Sequence, residues 1–136
     1  MANGAVTLYH DNSAKLATTA AGVTVTGSVT DDKGNVRSIP SVAKSSAHAL
    51  VASDAGKCLL SASGGLVVNN SVMSAGDAVT FINNSGSDMT ITQGSGVTIY
   101  NTADAATGNR TLASRGMATL WFSGADTAYI SGAGLS

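Results

Sequence analysis

The sequence of 136 residues has the length of one domain with at most a small appended subdomain, and a chain of this size folds without a disulfide or a metal ion. Charged residues make up 11% of the chain, the formal net charge is −1, and every acidic residue is an aspartate. With no basic stripe and only 4% aromatic residues, the composition predicts no nucleic-acid partner. No signal peptide and no apolar run of about 20 residues is visible, so no membrane partner is expected either.

The first 30 residues alternate apolar and polar side chains in three short segments, 5–10, 14–19 and 23–29. Turn residues separate these segments, and the polar run 31–35 is typical of a hairpin turn. The pattern predicts a β-meander whose apolar face is only a few residues wide, which is marginally stable on its own. We therefore expect sister subunits to cover this face in a homotrimer through the following residues: Val6, Leu8, Leu16, Val23, Val25 and Val29.

Pro40, the only proline, marks a change of organisation, because proline cannot donate to a β-ladder and disfavours helix in the preceding residue. We assign residues 1–35 to an N-terminal β-meander and trimerisation segment, residues 36–49 to a linker, and residues 50–136 to a C-terminal β-domain. Strands are predicted in that domain at 57–61, 65–69, 78–83, 88–92, 96–100, 117–123 and 126–131, and the segment 103–116 is predicted to be a loop.

This regular spacing of short strands is typical of a sandwich or barrel. The predicted fold class is therefore all-β, with a small N-terminal β-meander followed by an antiparallel β-sandwich or barrel, in a homotrimer. The alternation of side chains predicts a core made of the following residues: Val79, Phe81, Met89, Ile91, Val97, Ile99, Leu120, Phe122, Tyr129 and Ile130.

Candidate catalytic and metal-binding groups are few. His10 and His48 are the only histidines, and no nucleophile-elbow motif occurs. The adjacent Asp31 and Asp32 point to opposite faces of a strand or into water from a turn, which disfavours a glycosidase-like pair. A single cysteine with two distant histidines excludes a structural zinc site, and Cys58 is predicted to be a buried thiol on a strand. The sequence thus predicts no catalytic residue, no metal and no cofactor.

Trp121 is the single tryptophan and lies between Leu120 and Phe122. If those two neighbours face the interior, alternation turns Trp121 outward, where an exposed aromatic side chain is a candidate interface anchor. The pattern leaves open the opposite arrangement, with Trp121 in the core. We take Trp121 and Arg37 as the candidate partner contacts.

Several segments resemble proteins of bacteriophage particles. Residues 6–19 and 22–27 resemble the short repeats of trimeric phage fibres, and residues 34–40 are similar to the junction of a recurring phage surface module. The likeness continues in the following short motifs: Asp54-x-Gly56-Lys57, Gly76-Asp77, residues 83–86 and the closing run 129–135.

This resemblance implies a trimeric, non-enzymatic structural protein that is made in the host cytoplasm and ends up on the virion surface. A compact chain that begins with the fibre-like meander and ends after one module fits a capsid decoration (cement) protein, whose partner is the major capsid protein of the head. The alternative is a tail-fibre, head-fibre or receptor-binding module that adsorbs to a host surface glycan. A small enzyme or an intracellular binding module is the third interpretation. Which end of the protein contacts the capsid is left open.

Overall fold

The computed structural model describes residues 4–32, 34–36 and 38–136, and its regular structure is almost entirely β-strand. The chain divides into two compact units, Met1–Ser38 and Ile39–Ser136. The prediction of an all-β chain with a small N-terminal sheet is confirmed.

The first unit contains a three-stranded antiparallel sheet in the order β1 (Thr7–His10), β2 (Ser13–Thr19) and β3 (Gly22–Val25). Asp11 and Asn12 form the tight turn between β1 and β2 with positive φ angles of 49° and 57°, a conformation that Asp and Asn adopt more readily than most residues. The predicted polar hairpin is also present, as β4 (Thr30–Asp31) and β5 (Gly34–Asn35).

The second unit contains the remaining strands and one short 3-10 turn at Ala52–Asp54. The strands are β6 (Ser41–Lys44), β7 (His48–Ala49), β8 (Cys58–Ser61), β9 (Leu66–Val68), β10 (Ala78–Asn83), β11 (Met89–Gln93), β12 (Thr98–Asn101), β13 (Arg110–Gly124) and β14 (Thr127–Leu135). A strand is present at each predicted position, but β13 begins well inside the segment 103–116 that the sequence predicts as a loop.

These strands form one mixed, nearly closed, barrel-like sheet in the order β6-β8-β10-β13-β11-β9-β7, and β14 pairs with both β13 and β12. The chain coils, so that β8 and then β10 are added in parallel beside β6, while β9 and β11 are added in parallel beside β7. The long strand β13 joins the two parallel arrays, because its beginning pairs with β11 and its later part pairs with β10. Its register against β14 shifts between Leu112 and Met117, a bulge that bends the strand from one array to the other.

Two expectations differ from this architecture. The prediction of a purely antiparallel sheet is wrong, because five of the strand pairs described are parallel. The interval 36–49, which the sequence analysis treats as a linker, contains β6 and β7, and both strands belong to the barrel-like sheet. Both differences have one cause, since parallel pairing joins strands that are distant in sequence and leaves no hairpin signal.

The core lies in the second unit. Alternation in β10 turns Val79 and Phe81 inward, and β13 contributes Leu120 and Phe122 in the same way. Nine of the ten predicted core residues are buried, which confirms the periodicity argument for them. The exception is Tyr129, which is exposed because its neighbours on β14 occupy the inward positions, so its assignment to the core is wrong.

Candidate functional site

One face of the three-stranded sheet collects apolar side chains. Leu16 on β2 pairs with Leu8 on one side and Val25 on the other. Thr18, two residues along β2, donates its backbone amide to the Val6 carbonyl and pairs with Val23 on the other side. Because alternate residues of a strand share a face, these six side chains lie together, and five of them are apolar.

The described residues of the first unit do not cover this apolar face. Val6 is 60% exposed, Leu8 is 58% exposed and Val23 is 61% exposed. Among the described residues that precede Leu50, none is buried. The first unit therefore has secondary structure and a cohesive apolar surface, but no core of its own among the residues described.

The structure brings together five of the six residues predicted for the trimer interface. Val29 is the sixth, and it lies outside the three-stranded sheet, beside the β4–β5 hairpin, where its carbonyl accepts a hydrogen bond from Val36. Arg37 lies outside the residues that the structure describes. The assignment of all these residues to an interface stays a prediction.

Trp121 belongs to a row of aromatic side chains on the outer face of the barrel-like sheet. It pairs with Tyr129 on β14, which in turn pairs with Tyr100 on β12. The ring centroids of Trp121 and Tyr129 are 6.1 Å apart, and those of Tyr129 and Tyr100 are 5.5 Å apart. Trp121 is 47% exposed and Tyr129 is 41% exposed, so the outward arrangement of Trp121 is the one observed.

Hydroxyl groups flank the aromatic row on both sides. Two residues before Tyr100 and Tyr129, and on the same face of the sheet, Thr98 pairs with Thr127. Two residues away in the other direction, Thr119 pairs with Ser131. The hydroxyl of Thr119 lies 2.9 Å from the hydroxyl of Thr80, its partner on β10. We call the three aromatic residues and these five hydroxyl residues the aromatic surface.

Sequence reasoning found Trp121 but missed its two partners. The signal for Tyr129 was present, since Ile130 faces inward and alternation then turns Tyr129 outward. Tyr100 follows the inward Ile99 in the same way. The placement of Tyr100 beside Tyr129 had no local signal, because it depends on the parallel pairing of β12 with β14.

The most enclosed charged group in the described residues is Asp54, at the end of the 3-10 turn. Its Oδ2 lies 2.7 Å from Nε2 of His48 and accepts a hydrogen bond of 3.0 Å from the Val51 amide. Its Oδ1 lies 3.8 Å from Nζ of Lys44. Burial raises the pKa of Asp54, but the hydrogen bonds from His48 and Val51 and the positive charges of His48 and Lys44 outweigh it, so that the pKa is lowered. These contacts fasten the turn to β6 and β7, and we assign them a structural role.

The other candidate chemical groups are separate from this cluster. His10 is exposed in the β1–β2 turn, where its Nδ1 lies 3.5 Å from a carboxylate oxygen of Asp11. Cys58 is a free thiol on β8, as predicted for its strand, but it is half-buried, and burial raises the pKa of its thiol. Within the described ranges, no three His, Cys, Asp or Glu side chains are grouped so as to hold a metal ion.

The chain matches no protein-family model, and no curated protein is significantly similar to it. In the part of the chain that the structure describes, no helix has the length and apolar character needed to cross a membrane.

Proposed function

We propose that this chain is a non-enzymatic structural protein of a bacteriophage particle, and specifically a homotrimeric capsid decoration protein. It binds the outer surface of the head through the major capsid protein and stabilises the shell. It is made in the host cytoplasm and is located on the virion surface. Its binding involves neither nucleic acid nor a membrane, and it needs no cofactor.

The observation that carries this proposal is the uncovered apolar face of the three-stranded sheet. A marginally stable sheet is stabilised when other chains remove its apolar surface from water. The identical face of two sister subunits supplies the required apolar partner, and closed rotational symmetry is the usual arrangement of such homo-oligomers. Many copies of a trimer, each held by weak contacts, would stabilise a shell by multivalent binding.

The number of copies per particle tests the decoration role. A decoration protein is present in on the order of hundreds of copies, because it occupies repeated positions of the lattice. Quantitative gel densitometry of purified particles, normalised to the major capsid protein, measures this number directly. Gold-labelled antibody seen on the head by electron microscopy is the second expected result. A few copies at the tail would contradict the decoration role.

A second candidate function is a fibre or receptor-binding module that adsorbs the particle to a host surface glycan. The exposed row of Trp121, Tyr129 and Tyr100 favours it, since aromatic side chains at a surface are frequent binding anchors. This candidate predicts few copies per particle, at the tail or at a single vertex. It also predicts that the purified protein, added in excess, slows adsorption of particles to host cells.

A further inference from the structure

We propose that the aromatic surface of the barrel-like domain binds a neutral polysaccharide. The proposal rests on the adsorption candidate for its biological role. Glycan binding is nevertheless a property of the purified protein, and it can be measured without the particle.

The concentration of aromatic residues is the first observation. The sequence holds only six aromatic residues, and two of these, Phe81 and Phe122, are fully buried in the core. Three of the other four lie in a single row across β13, β14 and β12, in direct register. None of the three is fully buried, so the row offers a continuous aromatic surface to a ligand.

The hydroxyl groups beside the row supply the second observation. A sugar ring combines apolar C–H groups with hydroxyls, so it needs both apolar contact and hydrogen-bond partners that can donate and accept. The aromatic row supplies the contact, and threonine and serine hydroxyls on both sides supply the partners. Thr119 and Ser131 are exposed, while Thr80, Thr98 and Thr127 are partly exposed.

Charge distinguishes a neutral glycan from other polymers. None of the eight side chains of the aromatic surface is charged. Asp126, in the adjoining β13–β14 turn, accepts a hydrogen bond from Thr127 and places a carboxylate at one margin. An acidic polysaccharide or a nucleic acid would meet this carboxylate without any cation on the surface to pair with its own charges.

A protein partner is the main competing occupant. Protein interfaces usually combine an apolar centre with a polar rim. Here the hydroxyl groups lie directly beside the rings, two residues along each strand on the same face, so that polar groups occur within the contact area itself. Such close alternation of rings and hydroxyls matches the surface of a sugar chain better than the apolar centre of a protein interface.

Trp121 provides a direct probe, because it is the only tryptophan in the chain and its fluorescence reports on the aromatic surface alone. The purified full-length protein is first applied to an array of neutral and acidic oligosaccharides. The neutral glycan that is retained best is then titrated while tryptophan fluorescence is recorded. We expect retention of neutral glycans and a saturable change in fluorescence. Retention of acidic glycans only, or of none, would overturn the proposal.

Substitutions on the surface identify the site. Tyr129→Ala leaves the fluorescent probe in place, and we expect it to weaken binding by roughly tenfold. Thr119→Val removes one hydroxyl with little change in shape, and we expect it to weaken binding by roughly threefold or more. Tyr9→Ala is the matched control, because it removes an exposed tyrosine from the other unit, and its affinity should equal that of the wild type.

Two further results separate the possibilities. If a second copy of the chain covers the surface, acrylamide will quench Trp121 poorly and Tyr129→Ala will change the sedimentation coefficient, which would refute the glycan proposal. If the protein binds neutral glycans but does not slow particle adsorption, the surface is supported and the adsorption function is rejected. A protein that binds no neutral glycan leaves the decoration role intact.

Discussion

The substitution Val23→Ala removes apolar surface from the open face of β3. Val23 is 61% exposed in the single chain, so the change creates no cavity in the core. If sister subunits cover this face, the lost surface belongs to the trimer interface, and the effect will appear in assembly rather than in the fold of the second unit.

The magnitude follows from the exposed fraction of the side chain. Shortening valine to alanine removes two methylene equivalents, worth about 1.6 kcal/mol when fully buried. Since 61% of the side chain remains to be covered, the loss on assembly is about 1 kcal/mol per subunit. Three subunits lose about 3 kcal/mol together, which raises the dissociation constant of the trimer by about 100-fold.

Sedimentation equilibrium over a range of protein concentrations measures this shift. Thr24→Ala is the matched control, because Thr24 is the next residue of β3, is exposed, and points to the opposite face. It also exchanges a β-branched residue for alanine, so both variants lose the same kind of strand propensity. We expect the control to assemble like the wild type.

Two outcomes would refute this reasoning. A wild-type protein that sediments as a monomer at every concentration would show that the apolar face stays uncovered. A trimer that is weakened equally by Val23→Ala and Thr24→Ala would show that strand propensity, and not the apolar face, controls assembly.

Three further substitutions or conditions test the second unit. Asp54 has a lowered pKa in the folded chain, so its contribution to stability is present above the pKa of the unfolded chain and is lost as the pH falls through the lower folded value. Asp54→Asn should therefore destabilise the protein by about 2 kcal/mol at neutral pH. The free energy of unfolding, measured in urea, should also fall less steeply at acid pH in this variant than in the wild type. Cys58, whose thiol pKa is raised by burial, should react with iodoacetamide at pH 8 more slowly than a cysteine in a short peptide, and should match the peptide once urea unfolds the chain. Gly132→Ala would place its Cβ 2.2 Å from the Met117 carbonyl oxygen and should cost about 3 kcal/mol in thermal unfolding, whereas Gly86→Ala, which meets nothing within 4 Å, should be nearly neutral.

The strands that the sequence predicts are those that carry a strong local signal. The alternation of Val79 and Phe81 in β10 and of Leu120 and Phe122 in β13 identifies both the strand and its buried face. The small N-terminal sheet was predictable for the same reason, and its turn residues fixed the antiparallel connections. Where local pattern and local turn chemistry decide the structure, one sequence was sufficient.

The pairing partners were not predictable, because they depend on contacts between distant segments. Strand β7 has only two residues, His48 and Ala49, and becomes a strand through its pairing with β9. The cluster around Asp54 follows from that pairing, so no spacing in the sequence pointed to it. Tyr100 likewise joins the aromatic row only because β12 lies in parallel beside β14.

The two candidate surfaces are exposed for different physical reasons. The first unit has no buried residue among those described, so it has no core that would stabilise it. Its open apolar face therefore lowers the stability of the isolated sheet and favours a permanent partner. The aromatic row is open because the inward positions of β13 and β14 already hold Leu120, Phe122 and Ile130, whose core is complete without it. A surface that the fold does not need to bury can be covered and uncovered without loss of structure. We therefore propose permanent assembly for the face around Leu16 and reversible binding for the row around Tyr129.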